Sequence, residues 1–180
     1  IKSHDVYSYI FDDYWEDIGT IQSFWAANLA LTDDVPKFSF YDMSRLIFTR
    51  LRYLPPSKIN SCELVNSLIS DGCILSGKRI ERSVIGLRSI VGEGSIIEES
   101  ILMGSDFYHN NDLSKSEILL GVGSNCIIKK AIIDKNVRIG DNVEITPENK
   151  PNHMDSEKFC IRDGIIIIPK NTVISSNTKI

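Results

Sequence analysis

From residue 84 onward, aliphatic side chains recur every six positions. Ile85, Val91, Ile97 and Met103 form one series, with Val84, Ile90, Ile96 and Leu102 immediately before them; Ile127, Ile133, Ile139 and Ile145 form a second, and Ile168, Ile174 and Ile180 a third. Small or β-branched residues follow four places later, at Ser89, Ser95, Ala131, Val137, Val143, Thr172 and Thr178. Strands of an antiparallel sandwich would alternate with a period of two and share no six-residue phase. A period of six is that of a parallel β-helix in which each hexad makes one side of a triangular coil, with about 18 residues to the turn. One aliphatic residue per hexad, Ile127, Ile133, Ile139 and Ile145 among them, is expected to point into the prism. The small residue fits the tight corner, and Gly86, Gly92, Gly104 and Gly140 fall where unusual backbone angles are expected. Two polar stretches interrupt the series: Ser105 to Ile118, with Asp106, His109, Asn110, Asn111 and Asp112, and Pro147 to Lys158. Loops that leave a solenoid at its corners often carry binding residues.

Upstream of the repeat the periodicity changes. Ile21, Phe24, Trp25, Asn28 and Leu29 have mostly helical spacing behind a capping residue, Thr20, so an amphipathic helix is predicted from Thr20 to about Leu31. Before it, Tyr7 to Phe11 is aromatic and β-prone and predicts a strand, which leads through the turn Asp12 to Gly19 into the helix. Strand-to-helix junctions are where α/β domains place ligand groups. Val35 to Lys58 is aromatic and basic, interrupted by Pro36, Pro55 and Pro56. With Phe38, Phe40, Tyr41, Phe48 and Tyr53 it reads as a linker packed across a domain boundary. The expected organisation is therefore an α/β end piece (1–34), a linker (35–59) and a β-helix (60–180).

The 180 residues carry a formal net charge of -4 and are 42% hydrophobic. An acidic average surface argues against a nucleic-acid or anionic-membrane partner. No apolar run has the length of a membrane span, and the first residues do not resemble a signal peptide. The four cysteines (Cys62, Cys73, Cys126, Cys160) form no C-x-x-C pair and read as reduced thiols without assigned chemistry. A chain that begins without Met inside an ordered pattern reads as a fragment or a processed chain.

The strings Asp13-Tyr14-Trp15-Glu16-Asp17-Ile18-Gly19-Thr20, Ala27 to Leu31, Tyr53 to Ile59, Ser83 to Ser89, Leu102 to Tyr108, Ala131 to Gly140, Ile161 to Gly164 and Lys170 to Ile180 together resemble the carboxyl-terminal part of ADP-glucose pyrophosphorylases. They are more similar to the cyanobacterial and plant catalytic-subunit type than to the enteric bacterial type. The resemblance implies a mainly β fold, a left-handed parallel β-helix preceded by the terminal piece of an α/β nucleotidyltransferase domain. It also implies transfer of AMP from ATP to glucose 1-phosphate with release of pyrophosphate, for glycogen or starch synthesis. Magnesium is the implied cofactor, a tetramer the implied assembly, and the bacterial cytoplasm or the plastid stroma the implied location. The family's nucleotide-binding half is absent upstream, so the chain alone is expected to be inactive.

By the resemblance, Asp17 is one of two metal-binding, catalytic carboxylates, Trp15 shapes the sugar side of the substrate pocket, and Gly19 lets the backbone turn beside it. On residue types alone Asp17 reads equally as a charge favourable to the dipole of the following helix. The family is activated by 3-phosphoglycerate and inhibited by phosphate. The resemblance places Lys135, Lys170 and Arg52 at those anion sites, with Arg50 and Arg138 as further candidates. An ammonium and a bidentate guanidinium suit phosphate and carboxylate groups. Lys170 and Arg52 are expected to share one anion, and isolated lysines on solenoid coils otherwise read as solvated. Two other readings stay open: a hexapeptide-repeat acyltransferase with His109 as general base, which leaves the Tyr14 to Thr20 turn without a place, and a non-catalytic regulatory subunit.

Overall fold

The computed structural model of the protein describes residues 3–44, 46–108 and 118–180. From Lys58 onward the chain winds as a parallel β-helix with three faces. The first face stacks Lys58–Ile59, Ile74–Leu75, Ile90–Val91, Gly121–Val122, Arg138–Ile139 and Val173–Ile174, all parallel. The second stacks Glu63–Val65, Arg79–Glu81, Ile96–Glu98, Ile127–Lys129 and Glu144–Ile145, again all parallel. The third runs from Leu68–Ile69 through Val84–Ile85, Ile101–Leu102 and Ala131–Ile133 to Ile165–Ile168, then continues antiparallel through Cys160–Arg162 to Met154–Asp155. The second polar stretch is thus in part a hairpin that extends the third face.

Inside the prism the aliphatics stack as expected, with one systematic correction. Ile85, Val91, Ile97, Ile133, Ile139, Ile145, Ile168, Ile174 and Ile180 are buried. Ile127, however, is 38% exposed, and Ile128 beside it is fully buried; likewise Met103 is 37% exposed and Leu102 is buried. The cause lies at the corner between the second and third faces. Asn66, Arg82, Glu99 and Lys130 turn it in the left-handed region, with φ between 43° and 47°, and the step between inward residues there is five rather than six, as from Ile97 to Leu102 and Ile128 to Ile133. A coil is accordingly shorter than 18 residues: Ile74 pairs with Ile90, 16 residues on, and Arg79 with Ile96, 17 on.

The small corner residues are buried and hydrogen-bonded. Ser83, Ser89, Ser95 and Ser100 donate to the carbonyls of Glu81, Gly86, Gly123 and Glu98 at 2.7–2.8 Å, which removes the penalty of burying a hydroxyl. Gly104 has the expected left-handed backbone (φ 82°). Gly86 and Gly92 serve another purpose: a Cβ on either would come within 2.6 Å of the backbone of the next coil.

The predicted helix forms as Ile21–Ala30. Thr20 caps it by accepting a bond from Ser23 N at 3.1 Å, and the Ser23 hydroxyl accepts from Thr20 N, so the two ends of the first turn satisfy each other. Its apolar side lies on the outside of the third face, where Leu29 is buried with Ile101, Ile132 and Ile165, flanked by Ile21, Phe24 and Trp25. Trp25 donates from Nε1 to Glu99 O at 2.8 Å, and the Lys130 ammonium sits 5.8 Å from its ring centroid. The predicted strand at Tyr7 to Phe11 does not form; those residues are irregular and exposed, with no neighbouring strand among the described residues to pair their backbone. Nor does the aromatic linker pack down: Phe48 and Tyr53 are 92% exposed, and Phe38 and Phe40 stack edge to face on each other at 5.3 Å.

The one-residue phase correction is directly testable. Ile128→Ala should lower stability by about 2–5 kcal/mol through the cavity it leaves, whereas Ile127→Ala next to it should change stability by about 0.5 kcal/mol or less. Denaturant midpoints of the two variants measure the contrast.

Candidate anion-binding site

Registry decides what meets at the corner between the third and first faces. Ser105 N donates to Leu87 O, Asn136 N to Gly104 O, and Asn171 N to Lys135 O, so Leu87, Gly104, Lys135 and Lys170 lie one above another on successive coils. The corner is turned by Arg88, Asn136 and Asn171, all at positive φ (58–62°), a conformation Asn tolerates better than most residues. Adjacent coils are about 4.8 Å apart, so Lys135 and Lys170 necessarily project side by side. Two ammonium groups on adjacent rungs repel one another.

A carboxylate separates them. Asp106 Oδ1 accepts from Lys135 Nζ at 3.0 Å and Oδ2 from Lys170 Nζ at 3.1 Å. Asn136 braces the same residue twice, accepting from Asp106 N at 2.8 Å and donating from Nδ2 to Oδ2 at 3.1 Å; its Nδ2 also lies 3.3 Å from Asn171 Oδ1. Arg88 supports the preceding peptide by donating to Ser105 O at 3.2 Å, and its guanidinium lies 5.8 Å from the Tyr108 ring centroid. Tyr108 in turn donates its hydroxyl to Gly72 O at 2.9 Å. The cluster is open to solvent, with the Lys135, Lys170 and Asp106 side chains 39%, 48% and 41% exposed. The hydrogen bond from Lys135, then those from Lys170 and Asn136, hold the Asp106 carboxyl well below the usual carboxylate range.

The other candidates lie elsewhere. Arg52 donates to Arg50 O at 3.1 Å and shares no partner with either lysine among the described residues. Leu54, two residues on, lies against Gly72, at the corner four rungs of about 4.8 Å each before Lys170, and no hydrogen bond or ion pair joins Arg52 to the two lysines among the described residues. Arg138 opens a strand of the first face and donates to Ile118 O at 2.8 Å. Trp15 and Asp17 are exposed in the irregular approach to the helix; Asp17 Oδ1 accepts from Gly19 N at 3.0 Å, and a Cβ on Gly19 would lie 3.2 Å from the same oxygen. Asp17 supplies a single carboxylate, and the described residues contain no group of three potential metal ligands; they do not by themselves compose a magnesium site. His109 lies outside the described residues. The cysteines form no disulfide, and burial pushes the Cys73 and Cys126 thiols up.

Asp106, Asn136 and Arg88 are absent from the sequence-based candidates. One trace of the site was visible in the chain: Lys135-Asn136 and Lys170-Asn171 repeat the same pair in the same phase. Nothing local indicates that Asp106, from a polar interruption, closes the pair.

Because the folded-state carboxyl of Asp106 titrates below its unfolded value, near 3.9, its contribution to stability is complete above about pH 4 and is lost as pH falls through the folded value. Carboxyl ¹³C titration by NMR should show Asp106 among the last carboxylates to protonate, and Asp106→Asn should abolish that late transition.

A family model described as the GLGC left-handed parallel beta-helix domain matches residues 52–179. The match spans every coil of the solenoid and the whole Lys135, Lys170 and Asp106 corner, and it agrees with the parallel stacking of successive coils on each face. The chain belongs to the ADP-glucose pyrophosphorylase family, whose left-handed parallel β-helix domain it contains.

Proposed function

We propose that this chain is the carboxyl-terminal part of a glucose-1-phosphate adenylyltransferase of the cyanobacterial and plant type, which makes ADP-glucose and pyrophosphate from ATP and glucose 1-phosphate for glycogen or starch synthesis. In this reading the β-helix carries regulation and subunit contacts of a tetramer, in the bacterial cytoplasm or plastid stroma. No helix among the described residues is long and apolar enough to cross a membrane. The observation that carries the reading is the pairing of Lys135 with Lys170 on one exposed corner, within the family-matched segment.

Two ammonium groups held apart by only one carboxylate form a local excess of positive charge on a chain whose net charge is -4. A phosphorylated three-carbon acid such as 3-phosphoglycerate, or inorganic phosphate, binds such a site through charge-assisted hydrogen bonds. Arg52, with Arg50 and Arg138, is a further cation proposed for these effectors, on the same anion as Lys170 or on a second one. Asp17, Trp15 and Gly19 belong to the substrate side: Asp17 contributes a carboxylate near the reacting phosphates, with Trp15 beside the sugar. The bond from Gly19 N holds the Asp17 carboxylate by Oδ1.

In the intact enzyme, Lys170→Ala should raise the 3-phosphoglycerate concentration needed for half-activation about tenfold, since a charge-assisted contact is lost, while turnover without activator stays near normal. An unchanged activation curve removes Lys170 from the effector site. Asp17→Asn, with the fold intact by circular dichroism, should lower kcat by a factor of at least about 100. A near-normal rate assigns Asp17 to capping the turn before the helix.

A further inference from the structure

Resting on the reading of Lys135 and Lys170 as an anion site, we infer that Asp106 is an internal anion that fills this site in the unliganded protein, and that only a ligand carrying more negative charge than one carboxylate displaces it. The geometry is that of a bound oxyanion. Each carboxylate oxygen takes one ammonium, at 3.0 and 3.1 Å, and the second oxygen takes Asn136 Nδ2 as well. One edge of a phosphate group, with two oxygens at comparable separation, fits between the same two ammonium groups.

Charge decides which anions succeed. Two lysines against one carboxylate leave one positive charge unmatched. Asp134, next in the chain, accepts from Lys135 N through Oδ1 at 2.6 Å and makes no ion pair with either lysine. A phosphate monoester carries about -1.5 to -2 charges at neutral pH and matches both lysines. A monocarboxylate brings no more charge than Asp106 and, lacking its tether, loses the competition. Nothing buried opposes the exchange. Asp106 is 41% exposed, and the bond from its backbone N to Asn136 survives if the side chain swings to water.

The test titrates the full chain with inorganic phosphate and with acetate by calorimetry at constant ionic strength, comparing the unaltered protein, Asp106→Asn and the double variant Lys135→Ala/Lys170→Ala. Asp106→Ser serves as a second replacement, and thermal unfolding checks each fold. The unaltered protein should bind phosphate and not acetate. Both Asp106 variants should bind phosphate about threefold to tenfold more tightly, from the removal of two exposed ion pairs, and should gain measurable acetate binding. If the double lysine variant loses phosphate while both Asp106 variants bind it no more tightly than the unaltered protein, the internal-anion role is overturned and the anion site stands. If the double lysine variant still binds phosphate as well as the unaltered protein, the anion site itself fails, and the inference with it.

Discussion

Every coil of this protein places its backbone hydrogen bonds on the coil above and below, and that single requirement governs the rest. Strands of two to four residues cannot hold together alone; here each is one rung of a ladder whose neighbours lie 16 or 17 residues away within uninterrupted coils and 31 or 35 away across the two interruptions. For the ladder to continue, corners must repeat in length and shape from coil to coil. The left-handed residues at Asn66, Arg82, Glu99 and Lys130 on one corner, and at Arg88, Asn136 and Asn171 on another, are the local cost of that repetition. The packing of the aliphatic column offsets it: one buried Ile, Val or Leu per side is worth about 1.5–3 kcal/mol each.

Stacking also forces like upon like. Ile128 lies over Ile97 and under Ile145 to the benefit of the core, but the same rule sets Lys170 over Lys135 at the surface. The protein resolves the repulsion by breaking the coil at Gly104 and bringing Asp106 back between the two ammonium groups. The result is a bridged pair open to solvent, in which the bridging group is of the same chemical kind as the ligands proposed for the site. Structural compensation and responsiveness to anions are then two uses of one arrangement.

The third face differs from the others because it is apolar on both sides. Ile133 and Ile168 point inward, while Ile101, Ile132 and Ile165 point outward beneath Leu29 and Trp25 of the helix. The short corner contributes directly, since Glu99 offers its carbonyl to the indole and Lys130 covers its ring. The upstream piece is therefore coupled to the solenoid through the same corner that sets the phase of the core.

The two lysines were candidates through the family resemblance, whereas the six-residue period, the three-sided coil and the helix with its Thr20 cap came from the pattern of residues itself. These depend on interactions local in the chain or repeated along it, and so they leave a periodic trace. The sequence could not place the one-residue slip at Ile127 and Met103, because the series on either side of a five-residue corner look alike until the corner conformation is known. Nor could it show that Tyr7 to Phe11 finds no partner strand among the described residues, since a strand exists only through its neighbour. The union of Lys135, Lys170 and Asp106 belongs wholly to the tertiary structure. Asp106 lies 29 residues from one lysine and 64 from the other, and only the stacking of coils brings the three charges within hydrogen-bonding distance.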